Sequence, residues 1–298
     1  MLNTIFKELI NLLRDRFGRY QQSVELEKSV QGRFLRLFEE HGIHRNQIPS
    51  TFDHGLTFQD VATPEKLLCR LDDELLEDAS ELFGVSLEWL VGATDQIFSV
   101  HYYYKNLEGF SDFVAELKLK NNYCEAEVYL STDGSWDDDA VLLIRTSLGE
   151  PYSDEIYRNY ICGGWTHVYG KCRADLVACI AILLNQNIMV RVHWVKGSVA
   201  AFAQGNEFPS VLRSLKRDKR VISTLSESTR AENLVTDPNH YEYLLDEGNF
   251  GKRSAIYRWL DHYEKGYLDF GGRTDIAEVS DLFSKRYREL GGKLLAQD

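Results

Sequence analysis

Residues 78–95 read DASELFGVSLEWLVGATD, and this order of residue types decides the fold of the N-terminal third of the chain. Ala79 and Phe83 stand four apart, on one face of a helix. Gly84 follows where the chain must leave that helix through a left-handed conformation, which a residue without a Cβ adopts at little cost. Ser86 carries the side chain of an N-cap. It predicts a second, short helix in SLEWLVG, ended by Gly92, with Trp89 and Leu90 closing the core from one end.

Working outward, residues 32–92 read as a small helical bundle. GRFLRLFEEHG (32–42) puts Phe34, Leu35, Leu37 and Phe38 on one face, with Gly42 as the stop. IHRNQIPSTF (43–52) predicts a short second helix and LTFQDVAT (56–63) a third of two turns. PEKLLCRLDDELLEDASELFGV (64–85) predicts a long helix with Thr63 as N-cap and Pro64 at its first position. Upstream, Leu2, Ile5, Phe6, Leu9, Leu12, Leu13 and Phe17 give 1–31 the pattern of an amphipathic helix, suited to pack on the bundle or to pair with a second copy.

The pattern of a helix ending in Ala-x-x-x-Phe-Gly-Val-Ser, then Trp-Leu and a glycine, resembles the closing helices of the Cro-type (XRE-like) repressor helix-turn-helix family. The resemblance implies a bacterial transcriptional regulator that binds duplex DNA as a homodimer, with one helix crossing the phosphates and the next in the major groove. It places the contacts between positions 43 and 63: Arg45 on phosphate, with Asn46, Gln47, Ser50, Thr51, Thr57 and Gln59 as further candidates. Asn and Gln pair with adenine edges and Arg with guanine. The local charge opens a second reading. Between 43 and 63 there is one Arg and no Lys, alongside Asp53 and Asp60, whereas a DNA reader uses several cationic phosphate contacts. The alternative is a protein-interaction or signalling adaptor that keeps the bundle without DNA binding.

Beyond position 96 the pattern changes. AEVYLST (126–132), AVLLIRTSL (140–148), EIYRNYI (155–161) and MVRVHWV (189–195) predict strands, and 107–120 and 171–185 predict helices. Three strands in succession, then a helix and a strand, predict an antiparallel meander under a helical layer, a layout comparable to small sensor domains that answer a small-molecule or protein effector. The fold class is therefore α+β and multidomain: helix 1–31, all-α helix-turn-helix-like bundle 32–96, central antiparallel sheet with helices 97–215, and a mostly helical region 216–298.

Candidate effector ligands are Arg145 and Arg158, which with Arg191 would form an anion site if they shared a sheet face, and Trp165 and His167 within CGGWTHVYGKC (162–172), a glycine-containing loop before a helix. That segment matches no zinc pattern, so no metal is expected. Asp137, Asp138 and Asp139 read as a solvated hairpin turn. The sequence holds no catalytic or dinucleotide motif, and neither catalytic residues nor a cofactor are expected. The net charge of −12 opposes approach to nucleic acid except at a local basic face. Five scattered cysteines argue against a disulfide framework and for a reducing cytoplasm, and no apolar run is long enough to predict a membrane span.

Overall fold

The structure, a computed structural model, describes residues 26–121, 123–133, 139–149, 156–217, 230–241, 251–270 and 275–293. The expected helix 1–31 falls outside them up to position 25. The chain divides into two compact units, with a boundary between Ile97 and Phe98. The architecture is mixed α/β, with a six-stranded sheet in the second unit.

The first unit is helical. Its elements are α1 (Val30–Glu40), a 3-10 turn (Arg45–Gln47), α2 (Ile48–Thr51), α3 (Pro64–Leu68), α4 (Asp73–Phe83) and α5 (Leu87–Leu90). Phe34, Leu37 and Phe38 of α1 are buried, and the Phe38 ring meets Phe52 edge-on at 5.3 Å and Phe83 at 5.1 Å. Gly84 ends α4 at φ 73°, and the Ser86 hydroxyl accepts from Trp89 N at 3.2 Å. Two expectations fail. The long helix 64–83 is broken in two, because Asp72 is extended and its carboxylate caps Leu75 N at 2.9 Å. LTFQDVAT forms turns, where Thr57 donates to Asp60 at 2.6 Å and a local hydroxyl–carboxylate turn replaces helical bonding.

The second unit begins with β1 (Val100–Tyr102) and α6 (Leu107–Lys120), then β2 (Cys124–Ser131), β3 (Ala140–Ser147) and β4 (Tyr157–Trp165). Next come α7 (Gly170–Asn185), β5 (Met189–Lys196), α8 (Ala200–Ala203), α9 (Pro209–Ser214) and β6 (Lys216–Arg217). After these follow α10 (Ala231–Thr236), a 3-10 turn (Pro238–Tyr241), α11 (Lys252–Glu264) and α12 (Ile276–Glu289). The strand order is β1-β4-β3-β2-β5-β6. The meander β2–β3–β4 is antiparallel, but β1 pairs with β4 and β5 with β2 in parallel, so the sheet is mixed rather than antiparallel. The cause is that α6 follows β1 and α7 follows β4. Each helix returns the chain to the end from which the preceding strand started.

One sheet face carries Ala126, Val128, Leu142, Ile144 and Val192, all buried, and it shares a core with α6 and α7. Helix α7 is buried on nearly every side, since α10 and α11 pack on its far side. In that outer layer Trp259 stacks on Phe283 at 3.7 Å and donates to Val235 O at 2.9 Å. The region after 216, expected as a separate helical part, thus contributes to the same core as the sheet. On the opposite face α8 packs against β3 and β4. Gly163 permits this approach, because a Cβ there would collide with the Ala203 carbonyl.

Candidate functional site

The residues expected to meet DNA lie on the first unit, in short elements. Arg45, Asn46 and Gln47 are exposed on the 3-10 turn, and Ser50 and Thr51 end the four-residue α2. Thr57 and Gln59 are exposed on the turn that follows. Several of their polar groups are already engaged. Gln47 Oε1 accepts from His44 N, and Ser50 and Thr51 both donate to Gln47 O. Residues 26–97 hold six Lys and Arg against fourteen Asp and Glu. Three of the six cations are tied internally. Arg33 is buried and donates to Trp89 O (2.6 Å) and Thr94 O (2.7 Å), Arg36 pairs with Glu40, and Arg70 with Asp60.

The expected effector residues do not assemble. Arg145 stands opposite Glu125 and Asn159 on one sheet face, while Arg158 stands opposite Thr146 on the other. Arg145 is buried and neutralised by Glu125 and Glu127, and Arg191 pairs with Glu125 at 2.8 Å, so these cations make a closed network. Trp165 is fully buried as the last residue of β4, not part of a loop, and donates to Cys162 O. His167 is buried beside Trp194, and neither of its ring nitrogens has a partner among the described residues. Burial, then the nearby Arg173 charge, holds the His167 imidazole well below its ordinary value, so it is neutral. Asp139 corrects the solvated-turn expectation. It is buried and accepts from the His167 and Val168 amides, while Asp137 and Asp138 lie outside the described residues.

A different cluster has the properties of a site. Asp175, fully buried in α7, accepts from His262 Nε2 at 2.6 Å, Arg258 Nε at 2.8 Å and the Lys105 amide at 2.9 Å. Burial pushes its carboxyl up, but the hydrogen bonds and charges of His262 and Arg258 outweigh this and hold it below the ordinary carboxylate value. An ionised carboxylate only accepts, so His262 Nε2 carries a hydrogen. Nδ1 of that ring has no partner among the described residues.

Asp175 lies behind a pocket of about 240 Å³ whose walls include Lys105, Arg258, His262, Lys265 and Tyr267, together with the first turn of α6. Lys105 has a left-handed backbone, φ 64°, unusual for a side chain with a Cβ, and the Asp175 bond to its amide holds it there. Its ammonium lies 5.0 Å from the Tyr104 ring, and Glu108 lines the same pocket. Arg258 and Lys265 both bridge to Asp261. The arrangement can hold a polar or anionic small molecule. It offers no serine, threonine or cysteine nucleophile on the pocket wall.

All five cysteines are unpaired, no group of three metal-ligating side chains occurs among the described residues, and none of their helices is long and apolar enough to cross a membrane. No family model, curated protein or solved structure matches the chain.

Proposed function

We propose that this chain is an effector-responsive regulatory protein in which the α/β unit takes a small polar ligand in the Asp175–His262 pocket and the N-terminal bundle serves protein contact. The pocket carries the reading. A strained lysine, two further cationic side chains and a histidine line one concavity, and the buried Asp175 carboxylate behind it orients three of them, as expected where binding rather than packing has placed polar groups. Protein contact is favoured over DNA reading for the bundle because its acidic residues outnumber its cations, and half of those cations are tied up internally.

Ligand-observed NMR with a fragment library on the full chain tests the pocket. Lys265 is half-exposed, so Lys265→Trp places an indole on the pocket wall without disturbing the core. Fragments that bind the native chain should lose binding to this variant. Absence of any such fragment refutes the pocket reading. A gel shift with duplex DNA at low salt should show no complex, and a complex abolished by Arg45→Ala would return the bundle to DNA reading.

A further inference from the structure

The charges of α11 and α12 are sorted by end, and the sorting marks a surface that does not depend on the Asp175 pocket. We infer that the start of α11 and the end of α12 together bind single-stranded nucleic acid, with their cations on phosphates and the Tyr257 ring against a base.

The two helices are antiparallel. Trp259 stacks on Phe283 and Tyr257 meets Tyr287, so a step back along α11 is a step forward along α12. The start of α11 therefore lies beside the end of α12. Lys252 and Arg253 stand on the first, and Lys285, Arg286, Arg288 and Lys293 on or just past the second. Against these six, that end of the pair has one acid among the described residues, Glu289. The acids gather at the other end: Asp261 and Glu264 in the last turn of α11, and Asp275, Glu278 and Asp281 at the cap and in the first half of α12.

Helix stability accounts for half of this order. In α12 acids precede cations, which suits the helix dipole. In α11 the first turn holds two cations and no acid, and its Gly251 N-cap offers no side chain. Those cations oppose the dipole, so the fold gains nothing from their placement. Arg286 is held by Glu289, whereas Arg253, Lys285, Arg288 and Lys293 are exposed and make no ion pair among the described residues. This end thus carries surplus positive charge on a chain whose net charge is −12. Glu242, Asp246 and Glu247 precede α11 outside the described residues, so the attraction is that of the four unpaired cations and no more.

Two aromatic rings choose among anionic partners. Tyr257 follows Arg253 by one helical turn, and Tyr287 adjoins Arg288 in sequence. The Tyr257 ring is 53% exposed and rests against Tyr287 at 5.7 Å, tilted by 35°. An exposed ring among cations suits a nucleobase that stacks while its phosphates take the charges. An acidic peptide would engage the cations and leave the ring unused. A duplex would do the same, since its bases are stacked within, and the net charge of the chain opposes phosphates that bring no stacking. The single strand is the partner that uses both.

The test is fluorescence anisotropy of labelled oligo(U) and oligo(dT), each of about 12 nucleotides, titrated with the full chain. At least one should bind, and the tighter identifies the strand as RNA or DNA. Binding should weaken about fiftyfold between about 50 and 200 mM salt, as four phosphate contacts on a single strand require. Tyr257→Leu keeps an apolar side chain on Tyr287 and should weaken binding at least fivefold with the salt dependence unchanged. The double variant Lys285→Gln, Arg288→Gln removes two contacts and should reduce the loss over the same salt range to about sevenfold. All three positions are exposed, so both variants should melt with the native chain. No binding of either oligonucleotide at about 50 mM salt overturns the inference. So does a duplex or poly-glutamate of equal length that binds as tightly, because the surface then takes any polyanion. Binding that Tyr257→Leu leaves unchanged overturns it as well.

Discussion

Replacing Asp175 by Asn tests whether a single buried charge organises the pocket. The native carboxylate accepts from His262, Arg258 and the Lys105 amide, at 2.6, 2.8 and 2.9 Å. Removing one partner of a buried ion pair costs about 3–5 kcal/mol. Arg258 is 27% exposed at the side chain and retains Asp261, so water and the second carboxylate absorb part of that loss. Asn also keeps one acceptor oxygen. The net cost to the α/β unit is then about 2–3 kcal/mol, or about 1 M in the urea midpoint for a slope near 2–3 kcal/mol per molar. The assay is urea unfolding followed by tryptophan fluorescence between pH 3 and 7. The folded state lowers the Asp175 value below 3.8, so the carboxylate's contribution is fully present above pH 3.8. It is lost as pH falls through the folded value. The Asp175→Asn chain lacks this acid limb, and the two stability curves converge at low pH. A loss under about 1 kcal/mol at pH 7, or an unchanged acid limb, would refute the claim that this charge organises the pocket.

Other perturbations reach separate parts of the molecule. Gly84→Ala forces a Cβ into a backbone at φ 73° and should destabilise the bundle by about 1 kcal/mol, measured by chemical unfolding. Trp259→Ala deletes a fully buried indole stacked on Phe283 and should cost about 3–5 kcal/mol in the same assay of the α/β unit. His167 and His240 are both buried with imidazole values held below 6.5, so the unfolded chain binds their protons more readily than the folded one. Stability should therefore fall as pH drops below about 6.5, and His167→Gln should flatten thermal melts measured between pH 5 and 7.

How much of this was legible depended on distance along the chain. Helix α6 and the meander β2–β3–β4 follow from local patterns, as do the Gly84 stop and the Ser86 cap. Strand β1 has three residues and β6 two, too short for alternation to register. Parallel pairing was missed because it depends on which side the crossover helices return the chain, and periodicity holds no record of that. Arg145 and Arg158 make an anion site only if they share a sheet face, which the sequence leaves open; a one-residue difference in register separates the faces, and register is fixed by pairing rather than by either strand alone. Asp175 and His262 are 87 positions apart, so their contact was invisible. One signal was present: KCRADLVACIAILLN sets Arg173 and Asp175 at the head of a long apolar run, and charges on a helix that apolar need partners.

Helix α7 has a consequence for how the chain is made. Thirteen of its 16 residues are buried, so it has no face that tolerates water. Part of its cover, α11 with Trp259, lies roughly 70–90 residues downstream. At about 5–20 residues per second, a ribosome holds α7 without that cover for about 4–20 s. During that interval the nascent chain displays an apolar rod suited to chaperone capture or self-association. Polypeptides released before α11 emerges should therefore partition into aggregates to a greater extent than the full chain.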